Sequence, residues 1–195
     1  MPSTFHMFIE IRHSIILLMN KAPNRKEPIM RIVMNLEDGF LPDAYGKYAD
    51  PADCFDWSCR RSFPFAVEEI PTDTQALAIC FMDWDSAPIC GFPWIHWNAY
   101  VNGPFDDSFA LADDASRAGA EVLVQGYNSA AHSEPERGTG YVGPCPPNGD
   151  HTYTIKVCAL DTPLDLAAPF WVNELVSAGR GHVIAEASLN MVSRC

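Results

Sequence analysis

The stretch Ala76-Leu-Ala-Ile-Cys-Phe-Met82 is apolar at every position. A short apolar run bounded by turn residues predicts a central strand buried on both faces. Thr152–Leu160 alternates instead. Thr152, Thr154 and Lys156 form a polar set, and His151, Tyr153, Ile155 and Val157 fall in the other set. A side-chain period of two turns the polar set to water and leaves His151 and Tyr153 at the end of an apolar face. Trp94–Val101 reads as a further strand. Strict alternation there groups His96 with Trp94 and Asn98, opposite Ile95, Trp97 and Ala99. Shorter strands are predicted at Arg31–Leu36, before a turn at Asp38-Gly39, and at Phe63–Val67. Ala44–Asp56 and Ile70–Thr74 read as loops. A helix is predicted from Leu164-Asp165 through Pro169–Val176, ended by Gly179, with a second helical stretch at Val183–Ala187 and a last strand at Ser188–Val192. Strands dominate and helices come late, which predicts a mainly β fold, a sandwich with one or two C-terminal helices.

Length is consistent with one core: 195 residues suffice for a single well-buried domain. Residues 5–19 are apolar but carry Glu10 and Arg12, so they are too short and too charged to span a bilayer. The basic residues Lys21, Arg25 and Lys26 follow that run, and no Ala-x-Ala site appears, unlike a secretory signal. Residues 1–29 are therefore expected to be an N-terminal extension outside the core fold, with 30–195 as the single domain.

Charge narrows the partners. The formal net charge of -12 repels phosphate backbones and anionic membrane surfaces, so nucleic acid and stable membrane insertion are not expected. One locally positive pocket could still hold a small anion. Seven cysteines, an odd number with no Cys-x-x-Cys, fit a reducing, cytoplasmic compartment better than a disulfide scaffold. Cys54 and Cys59 could pair or bind metal, but their spacing reads as two unpaired loop thiols.

Candidate chemistry concentrates in two segments. Asp83-Trp-Asp-Ser-Ala-Pro88 leads to Trp94-Ile-His-Trp97, and Gly143-Pro-Cys-Pro-Pro147 leads to His151-Thr-Tyr153. A carboxylate beside a histidine fixes one tautomer and favours the imidazolium, which can bind an anion. Tyr153 adds a hydrogen-bond donor. Three prolines stiffen the 143–147 loop and leave only the Gly143 and Cys145 backbone N–H groups free to donate. Each feature also has a structural reading, as an Asp-capped turn, a core histidine or a loop that closes a sandwich. Two other chemistries use the same residues. Cys145 with His96 or His151 as base would make a thiol hydrolase. Asp83, Asp85, His96 and His151 would make a metal site for zinc or manganese, although their spacing matches no local metal motif.

Taken in order, Asp83-x-Asp85-x-x-Pro88, His96-Trp97, Gly143-Pro-Cys-Pro-Pro147 and His151-x-Tyr153 resemble the phosphatidylethanolamine-binding protein (PEBP) family, in its bacterial Raf-kinase-inhibitor-like branch of YbhB/YbcL type. Ala159-Leu-Asp161 and Gly181-His-Val-Ile-Ala-Glu-Ala187 extend the similarity, which runs from about Arg31 to the C-terminus. The resemblance implies a sandwich of two antiparallel sheets with a small noncatalytic pocket at one end for phosphate-like or phospholipid head groups. Carried over by motif, the ligand-binding residues are Asp83, Asp85, Trp94, His96, Tyr141, Gly143, Pro144, His151 and Tyr153. No cofactor or metal is implied, a homodimer is plausible within the family, and no protein partner is named. Trp84 stands where the family usually has Pro, and Thr152 where Arg is common, so the pocket wall and its rim charge are expected to differ from the family norm.

Overall fold

The structure, a computed structural model, describes residues 29–119 and 121–195. The expected N-terminal extension lies outside the described residues, apart from the exposed Ile29. Two sheets carry the fold. The smaller has the order β1 (Arg31–Val33), β4 (Phe65–Glu68) and β7 (Ser108–Leu111). The larger has the order β10 (Val183–Ser193), β9 (His151–Leu160), β5 (Ala76–Asp83), β6 (Trp94–Asn102) and β8 (Leu123–Gln125). All pairings within both sheets are antiparallel. A separate two-stranded hairpin pairs β2 (Cys54–Phe55) with β3 (Ser58–Cys59). Among the described residues there are two α-helices, the single turn α1 (Ala87–Cys90) and α2 (Val172–Ala178).

The fold is a sandwich because both sheets turn apolar faces to one core. Ile32, Phe65, Val67 and Leu111 come from the small sheet. Leu77, Ile79, Phe81, Trp97, Ile155 and Val157 come from the large one. Burying each such side chain contributes about 1.5–3 kcal/mol. β5 lies between β9 and β6 at the centre of the large sheet, which is why its sequence is apolar throughout. Its outer face meets a second cluster, in which Ala76, Tyr100 and Leu160 pack with Phe170 and Leu175 near α2. β9 alternates as expected: His151, Tyr153, Ile155 and Val157 are buried while Thr152 is exposed.

Three expectations need correction. Val183–Ala187 is not helical; it is the start of β10, with Ala185 opposite Ala159 and Ala187 opposite Val157. Its alanines and glutamate suit a helix, but pairing to β9 overrides that weak local preference. The late helix starts at Val172, not near Leu164. The Asn102 and Tyr100 side chains bond both the N–H and the carbonyl of Leu164 and Leu166, which takes these backbone groups out of any helical ladder. The third correction concerns His96. Phe81 pairs with Trp97 but Met82 pairs with Ile95, so His96 is the extra residue of a β-bulge. The bulge breaks the alternation. Trp97 points into the core beside Phe63, Asn98 turns outward to the Phe170 carbonyl, and His96 stacks near Phe81 and Tyr153 on the inner side.

Candidate functional site

At one end of the sandwich a cavity of about 190 Å³ opens between α1, the end of β5, the start of β6, the start of β9 and the proline-rich loop. Ser86 organises its upper wall. Its N–H donates to Asp83 Oδ1 at 3.0 Å, its Oγ contacts the Asp83 and Phe92 carbonyls, and it accepts from Trp94 N at 2.9 Å. α1 ends at Cys90 and is capped by Gly91, whose φ of 85° closes the turn. The loop is docked from below. Val142 N donates to the His96 carbonyl at 2.9 Å and Gly143 N to the Cys59 carbonyl at 2.8 Å. A Cβ on Gly143 would stand 2.7 Å from Tyr45 O and 2.8 Å from Cys59 Cβ, so glycine is needed there for close approach.

The two histidines meet different surroundings. Asp83 and His151 form a buried pair, with His151 Nδ1 at 2.8 Å from Asp83 Oδ2. His151 Nε2 lies 2.8 Å from Asn148 Oδ1. Both ring nitrogens thus face oxygen acceptors, the pattern an imidazolium satisfies. Tyr153 is buried near Asp83, and its acidity falls because burial and that carboxylate oppose the phenolate. His96 is packed among Phe81, Trp94 and Tyr153, and its Nδ1 lies 2.8 Å from the Val142 carbonyl. Burial pushes His96 down to about 4, against the opposing pull of Val142 and Asp83. His96 is therefore neutral at physiological pH. Nδ1–H donates to Val142, and Nε2 is left as an acceptor with no protein partner among the described residues. The sequence pattern predicted a carboxylate-supported imidazolium at either histidine, but only His151 has the carboxylate in contact.

The structure brings Asp83, Trp94, His96, His151 and Tyr153 together on the cavity wall. The other residues from the same motifs lie elsewhere. Asp85 accepts the Thr152 N–H at 2.8 Å and ties α1 to β9. Tyr141 is fully buried in the aromatic core and donates to the Tyr45 carbonyl at 2.6 Å. Gly143 has given its N–H to Cys59, and Pro144 is buried behind the loop. Trp84 faces outward beside Phe92 and Trp171, away from the cavity. Thr152 is exposed. Sequence reasoning missed Ser86, Ile89 and Trp57, all of which line the cavity. Trp57 arrives from the β2–β3 hairpin and stacks under Arg137, 5.0 Å from its ring centroid. Nothing in its local sequence marks that position.

Cys145 also lines the cavity, but burial pushes its thiol up and neither histidine hydrogen-bonds to it among the described residues. A nucleophile needs the opposite, a lowered pKa or an adjacent base. Among the described residues no group of three or more His, Cys, Asp or Glu side chains is placed to hold a metal ion. Of the four residues considered for metal, Asp85 is engaged by Thr152, Asp83 by Ser86 and His151, and His151 by Asp83 and Asn148, which leaves His96 Nε2 without a partner among the described residues. All seven cysteines are free, and no helix among the described residues is long and apolar enough to cross a membrane.

The phosphatidylethanolamine-binding protein family model matches residues 36–194. The chain belongs to the phosphatidylethanolamine-binding protein family. Among similar sequences, YxkA of Bacillus subtilis (strain 168) is 38% identical over 160 residues, which cover 80% of this chain and 94% of YxkA. A UPF0098 protein of Methanothermobacter thermautotrophicus is 36% identical over 129 residues, 65% of this chain and 78% of the relative. The crystal structure of the PEBP homologue CT736 of Chlamydia trachomatis superposes with a TM-score of 0.63 at 26% identity, covering 85% of this chain and 97% of CT736. E. coli YbcL, at 22% identity, shares the PEBP fold with a TM-score of 0.67, covering 85% of this chain and 98% of YbcL.

Proposed function

We propose that the cavity is a noncatalytic binding site for a small phosphate-like anion, such as the head group of a phospholipid or of a soluble phosphomonoester. The observation that carries the reading is the histidine pair. His151 is held by Asp83 through Nδ1, so its Nε2–H points at an oxygen, and Asn148 Oδ1 occupies that position. A ligand oxygen replacing Asn148 would receive the same charge-assisted hydrogen bond. His96 Nε2 offers an acceptor beside it, suited to a protonated ligand oxygen. The cavity of about 190 Å³ is below the roughly 300–1,000 Å³ of drug-sized sites, which favours a head group over a nucleotide or a whole lipid. Membership of the PEBP family supports a binding role of this kind. A kinase-inhibitor role would require a separate protein surface, which the cavity does not supply.

The test is calorimetry and thermal shift with inorganic phosphate, sulfate and phosphoethanolamine on the wild type, His96→Ala and His151→Ala. Saturable binding that weakens in both variants supports the reading. No binding by the wild type, or equal binding in all three folded proteins, sinks it. Phosphoethanolamine binding more tightly than phosphate points to the head group as the source, and the reverse order to the free anion.

A further inference from the structure

We propose that Cys54 and Cys59 form a reversible dithiol–disulfide pair whose oxidation locks the hairpin that carries Trp57, one wall of the cavity. The two residues are direct cross-strand partners in β2–β3. The next pair outward is hydrogen-bonded, with Arg60 N donating to Asp53 O at 2.8 Å. Antiparallel pairs alternate, so Cys54 and Cys59 occupy a non-hydrogen-bonded position, where Cα atoms stand about 4.5 Å apart. That separation falls inside the roughly 4.4–6.8 Å span of disulfides. Being direct cross-strand partners on one face of the ribbon, the two side chains project from the same side of the hairpin. Cys59 is buried, with Sγ 3.5 Å from the Ala44 carbonyl, while Cys54 is half-exposed. Cys54 is therefore the entry thiol and Cys59 the resolving one.

The chemistry is thiol–disulfide exchange with a low-molecular-weight disulfide. Cys54 loses its proton to solvent and attacks one sulfur of RSSR, breaking that bond, forming a mixed disulfide and releasing RS⁻. Cys59 then loses its proton and attacks the Cys54 sulfur, forming the intramolecular bridge and expelling the second RS⁻. The two protons return to the two RS⁻, so two protein thiols lose two electrons and RSSR becomes two RSH. Burial pushes Cys59 up to about 11 and raises Cys54 as well, so the exchange is slow at neutral pH and quickens as pH rises.

The hairpin's position gives the bridge its consequence. A two-stranded ribbon is marginal by itself. This one carries Trp57, which lines the cavity, at its turn, and it anchors the proline-rich loop through Gly143, which donates to the Cys59 carbonyl. A bridge one pair behind the turn fixes the ribbon's register and with it the Trp57 wall. The effect on ligands rests on the reading of this cavity as a binding site; the bridge and the locking do not.

The full-length protein is incubated at pH 8 with excess glutathione disulfide, acid-quenched, alkylated and mapped by mass spectrometry. The expected result is a Cys54–Cys59 peptide about 2 Da lighter and closed to alkylation, reopened by dithiothreitol, and absent in Cys54→Ser. A lasting glutathione adduct on Cys54, a bridge from Cys54 to another cysteine, or full alkylation of both thiols overturns the proposal. The locking is read without ligand, by hydrogen exchange at Phe55–Ser58, expected to slow by roughly tenfold on oxidation. Bridge formation with unchanged exchange overturns the locking. An oxidised and a reduced protein that both fail to bind sulfate count against the anion site and leave the disulfide result standing.

Discussion

Binding of an anion beside His96 should take up a proton, and His96 should be the residue that receives it. In the empty cavity burial holds His96 down to about 4, with Asp83 and the Val142 carbonyl pulling up and His151 pulling down. An anion placed against its ring supplies the favourable interaction that burial removed, so the bound pKa rises. A rise from about 4 back to an unperturbed imidazole near 6.5 would be worth about 300-fold in affinity, or about 3 kcal/mol. The sign follows. Affinity is greatest at low pH, falls about tenfold per unit as pH rises from about 4 to the bound pKa, and is flat above it. Sulfate suits the test because its charge does not change across pH 5–8, so any proton taken up from the buffer is received by the protein. Calorimetry in two buffers of different ionisation enthalpy then counts the protons. Uptake approaching one proton at the acid end and none at the alkaline end is expected. His96→Asn, which retains a donor for Val142, should abolish most of it. Pair effects on His151 and Asp83 are separated by repeating the series in His151→Asn. Sulfate binding with no proton uptake at any pH, or uptake unchanged in His96→Asn, would refute the reasoning.

The same depressed histidine should make the protein acid-sensitive. Between about 4 and 6.5 the unfolded chain binds the proton that folded His96 refuses, so stability rises with pH through that window and is complete above it. Urea unfolding at pH 5 and pH 7 should show a smaller loss in His96→Asn than in the wild type; equal losses exclude the residue as the cause. Asp83→Asn removes the charge paired with buried His151 and should cost about 3 kcal/mol by urea unfolding, with less than additive loss when combined with His151→Asn. Gly143→Ala presses a methyl group against the Tyr45 carbonyl and Cys59 and should cost about 1–3 kcal/mol, seen as a lowered melting temperature. Cys145 should react with iodoacetamide more slowly at pH 7 than exposed Cys195, because burial opposes its thiolate; faster labelling would revive the thiol-enzyme reading.

Most of the scaffold was legible because its signal is local. The unbroken apolar run of β5 and the clean alternation of β9 state their burial directly, and His151 and Tyr153 fall on the inner face as the period requires. His96 could not be placed this way. The bulge between Ile95 and Trp97 shifts the phase of β6 without leaving a glycine or proline to mark it. The helix misreading at Val183–Ala187 has the opposite origin. Its composition is helical, and only the long-range partner β9 makes it a strand. Within the site, motif residues divided by what their backbone does. Gly143 and Asp85 are in the motifs because they hold the loop and α1 in place, not because they face the cavity. Trp57 was invisible because it comes from a hairpin that touches the site only in three dimensions.

Two identical side chains at one end of a sandwich do different work because their partners differ. His151 has Asp83 on one nitrogen and Asn148 on the other, so both face oxygen acceptors; His96 has only a carbonyl on Nδ1, and burial keeps it neutral. Such a difference in hydrogen-bond partners is how one pocket offers both a donor and an acceptor. The division depends on the bulge. In an unbulged β6, strict alternation with the core-facing Trp97 would turn His96 outward with Asn98, toward the Phe170 side of the sheet, and the cavity would hold a single histidine. The irregularity that defeated the alternation pattern is therefore what completes the site, and removing one residue at Ile95 or His96 should abolish anion binding even where the sandwich still folds.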